Sequence, residues 1–266
     1  MLGVIDHPSP NFDARDRPIE LVVLHYTGMA SGKAALARLC DPAPIAVRYP
    51  GPWQAPDIDP NFALGRVSAH YLVEEDGRIF RLVDEDKRAW HAGQSSWRGI
   101  ESVNARSIGI EIVNGGHDYG LPDFPDAQIR AVIALVGDIL TRRGLPAAAV
   151  VGHADIAPGR KLDPGEKFPW AKLAAAGVSI WPSAAAAPDG AILAEPGAAG
   201  EPVAALQRAL ATFGYGAPVS GVYDDHTGAV VRAFQSRFRP ARVDGLWDAE
   251  CAALLVALNA QTGAKP

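Results

Sequence analysis

The chain has 266 residues, a formal net charge of −5 and a pI near 5.8, with 48% apolar and 21% charged residues. That composition is enough for a packed core in one large or two smaller domains and excludes wholesale disorder. The acidic balance, without any basic patch or run of like charges, excludes a nucleic-acid footprint. Two distant cysteines, Cys40 and Cys251, exclude a disulfide framework and a CxxC metal pair, and each reads as a small, partly buried side chain.

Met1 to Pro10 has neither a basic n-region nor a long apolar h-region, and no apolar stretch reaches 18 residues. The expectation is therefore no membrane partner and a cytoplasmic location, or a periplasmic one if a leader was removed or another export route exists. Ile19 to Leu24 is a short apolar, β-branched run that predicts a buried strand ending at His25. Ser31 to Leu39 predicts a helix with Ser31 as its N-cap. The proline-rich segment 41–61 has no period and predicts a long loop. Ala69–Val73 and Ile79–Val83 flank Glu75-Asp76-Gly77 in a hairpin pattern. Ser107–Val113 predicts a further strand. Residues 125–144 carry apolar positions at helical spacing and stop at Gly144, and Val150–Gly152 predicts a short strand ending at His153.

Strands and helices thus mix through residues 1–180, which predicts one α/β domain with a mixed central sheet flanked by helices. Residues 181–199 are rich in Pro, Ala and Gly and predict a linker. In residues 200–260, Val219-Ser220-Gly221-Val222-Tyr223-Asp224 is echoed by Val243-Asp244-Gly245-Leu246-Trp247-Asp248, each leading into a helical run. An aspartate at such a turn accepts an orphan backbone N–H of the helix that follows. A third helical run, from Pro202 to Leu210, completes a small three-helix domain.

His25 and His153 sit just past strand ends, and Asp163 follows His153 by ten residues. Strand ends of one sheet converge, so distant positions can build one site. Two neutral imidazoles and a carboxylate would give a catalytic zinc its three protein ligands and leave a fourth position for water. The positive complex lowers the pKa of water and polarises a carbonyl. On spacing alone, a histidine at a strand end is more often a hydrogen-bonded structural residue than a ligand. Glu111 lies inside an apolar strand, where an unpaired glutamate is rare, and the bland alternative is an outward-facing salt bridge.

The text around these positions narrows the choice. His153-Ala154-Asp155-Ile156-Ala157-Pro158-Gly159-Arg160-Lys161-Leu162-Asp163-Pro164-Gly165, then Phe168-Pro169-Trp170, closely resembles the signature of the AmpD-like N-acetylmuramoyl-L-alanine amidases. Leu24-His25-Tyr26-Thr27, Val67-Ser68-Ala69-His70-Tyr71, Ala89-Trp90-His91-Ala92-Gly93 and Ser107-Ile108-Gly109-Ile110-Glu111 have family counterparts in the same order, so the resemblance covers residues 19–172. It implies one zinc ion per chain on His25, His153 and Asp163, a catalytic Glu111 and a catalytic Lys161. A carboxylate beside activated water can act as general base and then return the proton to the leaving amine, and an ammonium can stabilise the oxyanion. The resemblance also places His70, Trp90 and His91 at the cleft, with a structural role as the alternative. Asn114 and Arg160 are further candidates for substrate contact. His7, His117 and His226 match no motif and receive no role. The segment 41–61 is extra relative to compact members of the family and bears on substrate preference, as lid, cleft wall or surface loop.

Residues 200–260 resemble the three-helix peptidoglycan-binding domain through Val203–Gln207, Gly221–Asp224, Ala233–Gln235 and Val243–Trp247. If it binds wall, tethering would raise the local enzyme concentration near polymer; otherwise it only packs on the catalytic domain. The expected partner is muropeptide or peptidoglycan, for wall recycling or turnover. The binding-like domain suits intact wall, and the missing leader suits soluble anhydro-muropeptide. Two other readings compete. A non-catalytic peptidoglycan-recognition protein typically lacks a ligand residue, whereas all are present here. Another zinc peptidase or deacetylase would commonly show an HExxH helix, which is absent.

Overall fold

The computed structural model describes residues 2–42, 65–183 and 190–263. The predicted proline-rich loop, from residue 43 on, and part of the predicted linker lie outside the described residues. In chain order the elements are β1 (Val4–Asp6), β2 (Phe12–Ala14), β3 (Leu21–Tyr26), α1 (Gly32–Leu39), β4 (Tyr71–Val73), β5 (Ile79–Arg81), β6 (Lys87–Ala89), β7 (Ser96–Trp97), β8 (Ile100–Glu101) and β9 (Ser107–Ile112). There follow α2 (Asp126–Arg143), β10 (Val150–Gly152), α3 (His153–Ile156), α4 (Trp170–Ala175), β11 (Ile192–Ala194), α5 (Glu201–Phe213), α6 (Asp225–Phe238), β12 (Trp247–Asp248) and α7 (Ala249–Thr262).

Six strands form one mixed sheet in the order β1-β5-β4-β9-β3-β10. Only the β4–β5 hairpin is antiparallel within it; β4, β9, β3 and β10 run parallel. Parallel strands are buried on both faces, which is why β3 and β9 read as near-continuous apolar runs. On one face Val22, Leu24, Ile108, Ile110 and Val150 meet Ile129, Val132, Val136 and Ile139 of α2. Each such side chain contributes about 1.5–3 kcal/mol on burial. Ser31 caps α1 by accepting from the Ala34 N–H, and α2 stops at Gly144, whose φ of 63° is cheap only for glycine.

On the opposite face, Val23 and Val151 belong to an apolar cluster that continues through Trp97 into Phe213, Phe234 and Leu258 of the C-terminal helices. Those helices are organised by a repeated device. Gln207 donates from Nε2 to the Val222 carbonyl (2.9 Å) and accepts the Gly221 N–H (2.8 Å). Gln235 likewise donates to the Leu246 carbonyl (2.8 Å) and accepts the Gly245 N–H (2.8 Å). Each buried glutamine thus pins a turn whose glycine has positive φ, 70° at Gly221 and 77° at Gly245. Asp224 and Asp248 cap the helices that follow, accepting from Thr227 and Cys251.

The predicted linker is corrected in part. Ile192–Ala194 is a strand paired antiparallel with β12, and the Ala249 N–H bonds to the Ala191 carbonyl. Three residues are too few to show an alternating pattern, so composition alone spoke for a linker. Cys40 is half-buried and Cys251 buried, both free. Among the described residues no helix is long and apolar enough to cross a membrane.

Candidate metal centre

Strand register assembles the site. His25 is the cross-strand partner of Glu111 in β9, and Leu24 is the partner of Gly152 in β10. One residue beyond Gly152, His153 therefore lies beside His25. Three neighbouring parallel strands deliver Glu111, His25 and His153 in a row at their carboxyl ends, the usual position for sites in such sheets. Asp163 is returned to this row by the loop after α3, where its carbonyl accepts the Ala154 N–H at 2.8 Å.

His25, His153 and Asp163 are all buried, and their ligating atoms lie within 4.8 Å of one another. His25 Nδ1 is 2.9 Å from His153 Nδ1, and each of these is 3.0 Å from Asp163 Oδ2. The other ring nitrogens decide the protons. His153 Nε2 faces the Ala92 carbonyl at 3.1 Å, so it must donate, which leaves a lone pair on Nδ1. His25 Nε2 meets His91 Nδ1 at 2.9 Å, and His91 Nε2 meets Ser107 Oγ at 3.2 Å, which donates on to the Val103 carbonyl. A donor chain running outward from His25 satisfies every member and leaves its Nδ1 as a lone pair too. The triangle is then composed of three acceptors, which repel one another unless a cation lies among them. Tetrahedral zinc ligands stand about 3.3 Å apart at bond lengths of about 2.0–2.1 Å, so the donors need spread by only a few tenths of an ångström. The donor set fits zinc, and the outward hydrogen bonds supply the orientation that ligating histidines require.

The protonation states agree. Burial, then repulsion from His153, pulls His25 down to about 4 against the attraction of Asp163, so its imidazole is neutral. Burial pushes Asp163 upward, but the two histidines outweigh it and hold the carboxyl well below its usual range. Glu111 is pushed up to about 8 by burial and then by the Asp163 charge, with Lys161 pulling the other way. Its buried Oε2 has no hydrogen-bond partner. The half-buried Lys161 thus acts electrostatically on both Glu111 and His25.

The remaining candidates separate. His91 is buried behind His25 and acts through it, and Gly109 makes room for its ring, since a Cβ there would stand 2.4 Å from His91 Cγ. His70 has no exposed surface: its Nδ1 accepts the Gly109 N–H and its Nε2 faces the Lys87 carbonyl, so it braces β9 and has no atom free for a substrate. Asn114 is also inward, donating to the Pro122 carbonyl and accepting the Gly116 N–H. Trp90 is half-buried, with Nε1 donating to Asp13 and Arg66 over its ring. Exposed Arg160 donates to the carbonyls of Ala92 and Gln94. His117, which sequence reasoning left without a role, bridges the Tyr26 hydroxyl (2.9 Å) and Glu166 (3.0 Å) next to the ligand strand. Nothing in its sequence neighbourhood signals that bridge.

Comparison with known proteins gives the family. The N-acetylmuramoyl-L-alanine amidase family model matches residues 15–166, and the peptidoglycan binding domain model matches residues 199–255. The N-acetylmuramoyl-L-alanine amidase AmiD of Escherichia coli is 40% identical over 233 residues, 79% of this chain and 81% of that protein. Its structure in complex with anhydro-N-acetylmuramic acid-L-Ala-D-gamma-Glu-L-Lys superposes with a TM-score of 0.76 at 34% identity, covering 95% of this chain and 94% of the other. AmpDh3 of Pseudomonas aeruginosa, in complex with anhydromuramic pentapeptide, gives a TM-score of 0.71 at 35% identity over 92% of each chain. The 1,6-anhydro-N-acetylmuramyl-L-alanine amidase AmpD of Citrobacter freundii is 38% identical over 181 residues, 63% of this chain and 87% of that protein.

Proposed function

The chain belongs to the N-acetylmuramoyl-L-alanine amidase family, and from there we propose that it uses one zinc ion to hydrolyse the amide between the muramoyl lactyl group and L-alanine, with anhydro-muropeptides among its substrates. The observation that carries the zinc reading is the acceptor-only triangle of His25, His153 and Asp163 beside an unpartnered Glu111. The anhydro ring comes from the substrates in the AmiD and AmpDh3 complexes.

In this reading His25, His153 and Asp163 hold the zinc. When bound, zinc supplies a Lewis acid that acidifies water and polarises the scissile carbonyl. Glu111 takes the proton from the attacking water at its free Oε2 and delivers it to the leaving amine of L-alanine. Lys161 offers its ammonium to the oxygen that gains charge as the carbonyl carbon becomes tetrahedral. His91 and the Ala92 carbonyl keep the two ligating imidazoles in the tautomer that presents Nδ1. Arg160 and Trp90 remain the candidates for contact with the sugar or stem peptide. Residues 1–180 would carry the chemistry and 200–260 would hold polymeric wall.

The test is a digest followed by mass spectrometry, with intact sacculi in one tube and soluble anhydro-muropeptides in the other. Free stem peptides from the soluble tube are expected. Stem peptides from sacculi alone would replace the anhydro-muropeptide by intact wall as substrate. No release in either tube, or full activity after zinc has been stripped, would overturn the mechanism.

A further inference from the structure

We propose that Arg237 and Tyr215, both in the C-terminal helical region, are positioning residues for the metal centre and set His153 through Asp155. Asp155 is 1% exposed and lies on α3, two residues after His153. Its Oδ1 accepts the Tyr215 hydroxyl at 2.7 Å. Its Oδ2 accepts Arg237 Nη1 at 2.6 Å and the Gly152 N–H at 2.7 Å. Two of these three bonds therefore come from the C-terminal region. The second arm of Arg237 donates to the Val150 carbonyl at 2.8 Å, so one guanidinium grips both β10 and α3 at the joint where His153 emerges. That guanidinium is 3% exposed and lies 4.3 Å from the Trp170 ring centroid, so water cannot replace it.

A helix of four residues cannot sustain itself, because nucleation costs more than its few bonds return. The α3 turn holds its shape because Asp155 closes it on Gly152, and Asp155 holds its rotamer because Tyr215 and Arg237 fix both oxygens. His153 is the first residue of that turn, and its Nδ1 stands in the acceptor triangle. The C-terminal region thus forms the rear wall of the metal site, a role separate from any hold on wall polymer. This rests on His25, His153 and Asp163 being the zinc ligands.

The experiment uses the full chain with three substitutions. Tyr215→Phe removes one hydroxyl and keeps the ring beside Trp97 and Phe213. Arg237→Lys keeps a charge but cannot reach two acceptors with a planar fork. Phe213→Leu loosens the same interface without touching Asp155. Zinc affinity is read by chelator competition, and ligand geometry by the visible absorption of the Co²⁺-substituted protein. Arg237→Lys is expected to weaken zinc by about 10–100-fold, the range for partners behind a ligand, and Tyr215→Phe by a smaller factor, both with an altered cobalt spectrum. Phe213→Leu should lower Tm and leave affinity and spectrum unchanged. Wild-type affinity and spectrum in both clamp variants would overturn the proposal, as would an equal loss of affinity in Phe213→Leu. If Arg237→Lys does not fold, Tyr215→Phe decides alone. Failure of the wild-type chain to bind one zinc would instead remove the ligand assignment itself.

Discussion

Two sets of polar groups in this chain are handled in opposite ways. In the C-terminal helices, the buried Gln207 and Gln235 and the capping Asp224 and Asp248 meet backbone partners at 2.8–2.9 Å, and the repeated turns follow from that satisfaction. At the carboxyl ends of β9, β3 and β10, three acceptors face one another and a carboxylate oxygen is left without a partner. The first set serves stability, and the second carries an electrostatic imbalance that a cation would relieve. Local rules are broken where chemistry is done.

The contrast can be broken hardest at Asp163. Asp163→Ala should remove zinc and activity together, down to background hydrolysis, as read by metal content and stem-peptide release. Retained zinc would mean that the triangle is not the metal site. Glu111→Gln should keep zinc but lose rate by about 10²–10⁴-fold, the scale of general acid–base catalysis. It should also stabilise the metal-free chain at pH 8. The folded pKa of Glu111 is raised, so ionisation works against folding as pH climbs from about 4.5 towards 8. Removing that charge should return on the order of 1–3 kcal/mol, after discounting for its partial exposure. Denaturant melts at pH 5 and pH 8 check the sign: the gain belongs at pH 8 only.

Gln235→Ala sharpens the comparison from the other end. It leaves the Gly245 N–H and the Leu246 carbonyl without their partner and should cost about 1–3 kcal/mol in unfolding free energy. Zinc affinity should not change, and a loss there would show that the turn reaches the site. The smallest effect belongs to Glu85, a satisfied carboxylate in the same domain as Glu111. Burial pushes it up, but Arg142, Tyr71 (2.7 Å) and Arg143 outweigh burial and bring it down to about 2. Because the folded pKa lies below the unfolded value, its contribution is complete above about pH 4.5 and is lost as pH falls towards 2. Its arginine partners are partly exposed, so about 1–2 kcal/mol is at stake. An acid titration of Glu85→Gln that paralleled the parent chain between pH 5 and 2 would refute this.

Much of the site was legible because it lies where apolar runs end at histidine. An apolar run stopped by histidine marked β3 and β10, and α2 announced its end with Gly144. Asp163, Glu111 and Lys161 became readable only through the motif, since spacing says nothing about a loop returning to a sheet. Strands β1, β2, β6, β7 and β8 have two or three residues each, too few to show a period. His91 looked like a cleft residue because sequence cannot tell a ligand from the group behind it; Gly109, whose missing Cβ admits that ring, is the physical trace. Arg237 carries no local signal of its role, because its burial depends on a domain contact that no sequence pattern encodes.

The strand order also fixes a timetable for synthesis. β3 is the central member of the ligand row, yet its neighbours β9 and β10 are encoded far downstream, with His153 lying 128 residues after His25. At ribosomal speeds of about 5–20 residues per second, β3 waits on the order of ten seconds for both flanks. During that interval Leu21-Val22-Val23-Leu24 is an unpaired apolar strand, the kind of segment that nascent-chain chaperones shield.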